Sequence, residues 1–271
     1  MTPGCPTVLG EVDTLAVDLD GTALSSAGHM TTQTAAALNA AIRRGVSIIF
    51  VSARPLWSLR ERTTGIHVQG PAVACGGAVI ADSRDRLLDR CPLSPSTVKS
   101  VLDAVAAAGA SALCYRGDAV SAVGDSPVLR AELRITARQV PGAWTGGDAD
   151  KVVVFAAGDD PVVSAVTRLP GTFTARSHGS YLEVTATGAD KGRGLDRLLH
   201  RLDLHWDRLA AVGDGDNDVP MLRHARHAFA VANATEQARL AADVVVPSND
   251  DGGVADVIAR LLAIRHGAQA R

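Results

Sequence analysis

Five aspartates fall in two short clusters, Asp18 and Asp20 near the start of the chain and Asp214, Asp216 and Asp218 near its end. Each cluster follows an apolar run, Leu15-Ala16-Val17 in the first case and Leu209-Ala210-Ala211-Val212 in the second. Both runs read as short buried strands. Aspartate is a poor strand residue, and a lone Asp-x-Asp after a strand is an ordinary acidic turn. Two such clusters are harder to dismiss. Open α/β sheets place their sites at the carboxyl ends of parallel strands, so two strands of one sheet would aim both clusters at one crevice. Carboxylates about 4 Å apart repel by about 4 kcal/mol at the effective dielectric of a protein site. A site gathering three therefore needs a cation. All-oxygen ligands favour magnesium over zinc, and magnesium keeps positions for water and substrate phosphate.

Two further residues complete the pattern. The β-branched run Val46-Ser47-Ile48-Ile49-Phe50-Val51 ends at Ser52, a hydroxyl donor. Lys191 opens a helix, where exposed amides favour an anion. Two acid clusters at strand ends, a hydroxyl at a third and a lysine at a helix start describe a metal-assisted phosphoryl site. Asp216 reads more simply as a solvated turn residue, whereas the position of Lys191 argues against a mere surface lysine. The eight histidines show no metal-ligand spacing. Gly76-Gly77 is too short for a dinucleotide loop, and no Gly-x-Gly-x-x-Gly follows the first strand.

The elements that must hold these residues alternate. Thr31 or Thr32 caps a helix ending at Arg44 and Gly45. Pro55 suits the first turn of a helix reaching about Thr64. A third strand over Ala72-Val73-Ala74-Cys75 leads into a hairpin through Ala78-Val79-Ile80 and Leu87-Leu88. Strand, helix, strand, helix, strand is the signature of a parallel sheet with crossover helices. The middle third differs: helices over Ser96–Gly109, Leu129–Arg138 and Pro161–Arg168, and strands over Ala112–Tyr115, Lys151–Ala157, Thr172–Ala175 and Tyr181–Val184. Five of the nine aromatic residues lie there, so this third is read as an inserted domain. The last third returns to strand–helix alternation, with strands at Ala228–Val231 and Val244–Val246 each followed by a helix. The expected fold is α/β, a Rossmann-like parallel-sheet core (residues 1–89 and 182–271) with an inserted α+β cap domain (residues 90–181).

Composition narrows the class. With 271 residues, 46% hydrophobic and 21% charged, the chain is ordinary globular protein, and at 3% aromatic its core rests on Ala, Val, Leu and Ile. A net charge of -2 without a basic patch argues against nucleic acid or an anionic membrane as partner. No run approaches a membrane span, and Met1–Gly10 lacks the regions of a signal peptide. Cys5, Cys75, Cys91 and Cys114 have no paired spacing. Free thiols in a cytoplasmic protein, monomeric or a small homo-oligomer, is the expectation. Lysine occurs only at Lys99, Lys151 and Lys191, so a well-placed lysine stands out.

These residues resemble the haloacid dehalogenase superfamily. Asp18-Leu19-Asp20-Gly21-Thr22 is similar to its first motif, Ser52 to its second, Lys191 to its third and Gly213-Asp214-x-x-Asn217-Asp218 to its fourth. The long insertion between the second and third motifs resembles the α/β cap of the Cof-type phosphatase branch, subclass IIB. Asn233-Ala234 and Ser248-Asn249-Asp250-Asp251-Gly252-Gly253-Val254 resemble that branch's carboxyl-terminal signature. Two departures stand out: Ala53-Arg54-Pro55 where Gly-Arg-Pro is usual, and Gly76-Gly77-Ala78 where Asn-Gly-Ala is usual.

The resemblance implies a magnesium-dependent phosphatase acting on a small phosphorylated metabolite through an aspartyl-phosphate. Asp18 is then the nucleophile and Asp20 the acid, later the base. Asp18, the backbone carbonyl of Asp20, and Asp214 hold Mg2+, with Asp218 behind them. Leu19, Ser52, Ala53, Lys191 and Asn217 hold phosphoryl oxygens. Arg54, Arg116, Trp144, Arg176, His178 and Tyr181 are the candidates to meet the substrate. The same motifs also suit a phosphotransferase or mutase, and a phosphometabolite-binding protein without turnover is the remaining alternative.

Overall fold

The structure, a computed structural model, describes residues 12–67, 69–136, 142–177 and 181–269. They form two compact units: the described residues up to Phe50, those of Arg62–Gly70 and those from Leu199 onward make the first, and those of Val51–Glu61 and Pro71–Leu198 the second.

The chain begins with β1 (Thr14–Val17), α1 (Thr32–Arg43), β2 (Ser47–Val51) and α2 (Leu56–Arg62). The cap of α1 is Thr31, whose Oγ1 accepts from Thr34 N–H at 3.1 Å. Helix α2 ends at Arg62, two residues before the expected Thr64, because Thr63 turns away to bond Gln69. Next come β3 (Ala72–Ala74), β4 (Val79–Ala81) and β5 (Leu87–Arg90), an antiparallel ladder. β3 stops before Cys75, which takes a φ of +50°.

The insertion supplies α3 (Pro95–Ala107), β6 (Ser111–Arg116), β7 (Ala119–Val123), α4 (Pro127–Thr136), β8 (Gly142–Ala143), β9 (Lys151–Phe155), α5 (Pro161–Thr167), β10 (Thr172–Ser177) and β11 (Tyr181–Ala186). Its sheet runs β10-β11-β9-β6-β7-β8, antiparallel except for the β7–β8 pair. Sequence reading missed β7 and β8. The β6–β7 hairpin turns at Gly117 with a φ of +55°, and alternation in β7 is masked by small residues. One face of this sheet packs Val152, Val154, Ala112, Cys114 and Val184 against α3 and α5; the other packs Leu113, Val153, Phe155 and Tyr115 with Leu129 of α4.

The last elements are α6 (Lys191–Leu202), β12 (Leu209–Gly213), α7 (Val219–His224), β13 (His227–Val231), α8 (Glu236–Ala241), β14 (Val244–Val246) and α9 (Gly253–Gln269). Within the first unit β14, β13, β12, β1 and β2 lie side by side, all parallel, with Val17 level with Val212 on one side and Phe50 on the other. The side chains of β1, β12 and β13 are buried throughout, as strands covered on both faces require; β2 is buried after Ser47, and β14 at the edge leaves Val245 exposed. Helices α1 and α9 pack together, with Leu38, Val257, Ile258 and Leu261 in the interior. The fold is therefore α/β, a Rossmann-like parallel core with an inserted α+β segment. Among the described residues no helix is long and apolar enough to cross a membrane. Cys75, Cys91 and Cys114 are free thiols; Cys5 lies outside the described residues.

Candidate active site

In the first unit β1 and β12 are parallel neighbours, so Asp18 and Asp214 leave the same end of the sheet side by side. After Asp18 the chain makes one wide turn, closed by Ala23 N–H to Asp18 O at 3.3 Å and Leu24 N–H to Leu19 O at 2.8 Å. Gly21 lies within it at a φ of +79°, and a Cβ there would sit 2.3 Å from Asp214 Oδ2. Only a residue without a side chain lets this backbone come so close to that carboxylate.

Carboxylate oxygens of Asp18, Asp214 and Asp218 lie within 4.8 Å of one another. Asp18 and Asp218 are buried. At that spacing each ionised pair repels by roughly 3–4 kcal/mol at an effective dielectric near 20. A hard divalent cation relieves this, and the all-oxygen donor set fits one. Asp218 also has a structural duty. Its Oδ2 accepts from the backbone N–H groups of Asp214 at 3.0 Å and Gly215 at 2.9 Å, fixing the loop that presents Asp214. Asp20 is half-buried in the wide turn and Asn217 half-buried in the loop after β12. Asp216 is exposed and accepts from Thr235 Oγ1 at 2.6 Å, in keeping with a turn residue.

The two carboxyl-terminal sequence stretches prove to be braces. Asn233 Nδ2 donates to Gly21 O at 2.8 Å, and Asn233 Oδ1 accepts from Asn249 N–H at 3.0 Å. Asn249 Nδ2 donates to Leu24 O at 2.9 Å, and Thr235 N–H to Asp214 O at 2.8 Å. Thr22 was not singled out beyond its place in the first motif, yet its buried hydroxyl bonds Asp214 directly.

In the second unit Ser52 is buried and its Oγ accepts from Arg54 N–H at 3.1 Å. Ala53 is half-buried, and the Arg54 guanidinium donates to Ser58 Oγ on α2 at 3.0 Å. Lys191 is buried at the start of α6, whose first turn is capped by Asp190 Oδ1 accepting from Arg193 N–H at 2.9 Å. Gly77, at a φ of +106°, lets β3's loop run against Asp190 O, which a Cβ would meet at 2.1 Å. Gly76 has ordinary room for a Cβ, the nearest atom being Thr185 Cγ2 at 3.7 Å.

The insertion candidates are dispersed. Arg116 is exposed, ties to Asp148 at 2.7 and 2.8 Å and lies 5.5 Å from the Trp144 ring centre. Burial opposes ionisation of Asp148, but the Arg90 hydrogen bond and the Arg90 and Arg116 charges outweigh it and hold the carboxyl below the usual carboxylate range. Arg176 is exposed and donates to Ala157 O at 3.4 Å. Tyr181 donates to Glu132 Oε2 at 2.5 Å; burial, then that bond, pushes its phenol up to about 12. His178 lies outside the described residues. Lys151, which sequence reading left aside, is buried in this unit beside Glu183 at 3.6 Å and 5.0 Å from the Tyr115 ring centre. Its signal was scarcity of lysine. Burial pushes the neighbouring Cys75 thiol up to about 12 despite the pull of the Lys151 charge, so that cysteine is a neutral packing residue.

The chain is 24% identical to the 5-amino-6-(5-phospho-D-ribitylamino)uracil phosphatase YwtE of Bacillus subtilis over 92% of its own length and 98% of the relative's. A shorter stretch of 85 residues is 40% identical to the chloroplastic endoribonuclease YBEY of Arabidopsis thaliana, covering 31% of this chain and only 15% of that protein. The solved structure of BT1666 from Bacteroides thetaiotaomicron, described among phosphatases of the HAD superfamily, superposes with a TM-score of 0.82 at 18% identity, over 96% of this chain and 98% of that one. The sequence profile of the haloacid dehalogenase-like hydrolases matches residues 15–139 and 146–258, well over half of the chain, and the protein belongs to that family.

Proposed function

We propose that the protein is a magnesium-dependent phosphatase that hydrolyses a small phosphorylated metabolite, a sugar phosphate or similar polar monoester. The carrying observation is the cluster of Asp18, Asp214 and Asp218 at the ends of two adjacent parallel strands. Full-length similarity to a phosphatase of a phosphorylated ribityl compound supports the same reaction class.

Asp18 attacks phosphorus in line; the bond from phosphorus to the ester oxygen breaks and an acyl phosphate forms on Asp18. Asp20 gives its proton to the departing oxygen, then takes one from the water that hydrolyses the acyl phosphate. Backbone N–H groups at Leu19 and Ala53, with Ser52, Lys191 and Asn217, donate to the phosphoryl oxygens and stabilise the transition-state charge. Asp18, the carbonyl of Asp20, and Asp214 would hold Mg2+, which when bound neutralises charge on the phosphoryl group. Asp218 keeps Asp214 in place through its amide. Residues 90–181 form the cap that selects the leaving group, with Arg54, Arg116, Arg176, His178 and Tyr181 as recognition candidates.

The test is phosphate release from p-nitrophenyl phosphate by wild type and Asp18→Asn. Wild type turns over, EDTA stops it and magnesium restores it, while Asp18→Asn is inactive with an unchanged circular dichroism spectrum. Turnover by Asp18→Asn near the wild-type rate would sink the nucleophile assignment. Rescue by zinc alone would count against magnesium. Product analysis with sugar acceptors present separates hydrolysis from transfer.

A further inference from the structure

Three consecutive carbonyls after β2 are each held by a donor of the second unit. Ser52 O accepts from Gly76 N–H at 3.0 Å and Arg54 O from Cys75 N–H at 2.8 Å. The middle one, Ala53 O, accepts from the ammonium of Lys151 at 2.7 Å, a side chain 98 residues away in sequence. Lys151 opens β9 and is only 4% exposed. Burying an ammonium is costly, and an apolar residue of similar length is often the more stable choice at such a site. Stability alone therefore gives a poor account of this lysine.

The geometry of the peptide it grips gives a better one. All peptides in the described residues are trans, so the C=O of Ala53 and the N–H of Arg54 point to opposite sides of one rigid plane. With Ala53 O held by Lys151, the Arg54 N–H is aimed the other way, and it donates to Ser52 Oγ at 3.1 Å. An Oγ that accepts there keeps its own hydrogen for another acceptor. A cation on the carbonyl also polarises the peptide and strengthens its N–H as a donor. Glu183 and Tyr115 steady the ammonium in this position.

We propose that Lys151 is a positioning residue that locks the Ala53–Arg54 peptide and thereby sets the Ser52 hydroxyl as a donor toward the phosphoryl group. The inference rests on Ser52 being a phosphoryl donor, as proposed above. Lys151 touches no reacting atom; it acts through Ser52.

The experiment is a double-mutant cycle in the full chain with Lys151→Met, Ser52→Ala and both, read by kcat and KM on p-nitrophenyl phosphate, by the inhibition constant of inorganic phosphate and by thermal melting. Lys151→Met is expected to lower kcat/KM by about tenfold, the scale of one charge-assisted hydrogen bond, and to weaken phosphate inhibition. In the Ser52→Ala background the same change is expected to cost under about twofold, since the group it acts through is gone. Glu183→Gln keeps the donor on Ala53 but loosens its hold, and is expected to weaken phosphate inhibition less than Lys151→Met does. If Lys151→Met fails to fold, Lys151→Met with Glu183→Gln removes the stranded carboxylate and replaces it in the cycle. An equal loss in both backgrounds, or no loss in either, overturns the role of Lys151 while leaving Ser52 intact. Wild-type kinetics in Ser52→Ala overturns the phosphoryl role of Ser52 and the present inference together.

Discussion

Thr22 Oγ1 donates a 2.9 Å hydrogen bond to Asp214 Oδ1, a residue 192 positions further along the chain. The bond joins the turn after β1 to the loop after β12, so the two acid clusters are aligned by a neutral residue between them. Thr22→Val keeps the shape and deletes the donor. Removing one hydrogen bond to a charged group costs about 1.5–3 kcal/mol. Part of that loss is expected in the metal constant: a magnesium titration of activity should require at least about fivefold more ion, near 1 kcal/mol. Thr22→Ser retains the hydroxyl and should stay close to wild type. A Thr22→Val enzyme with unchanged magnesium dependence would show that Asp214 is held by its other contacts.

Asp218 carries a different load. Its buried carboxylate receives two backbone N–H groups, from Asp214 and Gly215. Asp218→Ala leaves both amides without that acceptor, at about 1–3 kcal/mol for each buried group stranded. Thermal melting should fall by several degrees, and magnesium dependence should weaken with it. Asp218→Asn, which still offers an oxygen, is expected to lose less stability than Asp218→Ala. Equal melting temperatures for the two variants would contradict the loop-fixing role.

Gly77 tests how closely the backbone must pass Asp190, the residue before Lys191. Its φ of +106° is strained for any side chain, and a Cβ would stand 2.1 Å from Asp190 O. Strain of this kind costs about 1–3 kcal/mol before the clash is counted. Gly77→Ala is therefore expected to lower the melting temperature clearly and to impair turnover by shifting the start of α6. Gly76→Ala, with its nearest neighbour at 3.7 Å but a φ of +63°, should be milder. Wild-type melting of Gly77→Ala would refute the close approach.

Much of this was legible in the chain itself. The acid clusters, Ser52 and Lys191 stood out because each breaks the chemistry of the element before it. β1, β2 and β12 were readable because apolar runs bounded by turn residues leave little choice. What escaped reading depends on contacts distant in sequence. Nothing local in Thr22 announces a bond to Asp214, and nothing local in Asn233 announces Gly21. β7 escaped because Ala119, Ser121 and Ala122 blur its alternation. Lys151 was noticed for its rarity, but its grip on Ala53 required the path of β9.

His227 offers a test of stability away from the acid cluster. It opens β13, is largely buried, and its Nε2 has no hydrogen-bond partner among the described residues. Burial, then the nearby Arg226 charge, lowers its pKa below the ordinary 6.5, with Asp243 opposing. The folded protein thus binds its proton less readily than the unfolded chain. Where the unfolded state binds more protons, stability rises with pH. The contribution of neutral His227 is fully present above pH 6.5 and is lost as pH falls through the folded value below it. Melting temperatures of wild type and His227→Gln between roughly pH 7.5 and 5 isolate the effect, because other titrations are common to both. Wild type should lose more stability on acidification than the variant, the gap widening below pH 6.5. Parallel curves would mean that a proton is accommodated at His227 as easily in the folded protein as in the unfolded one.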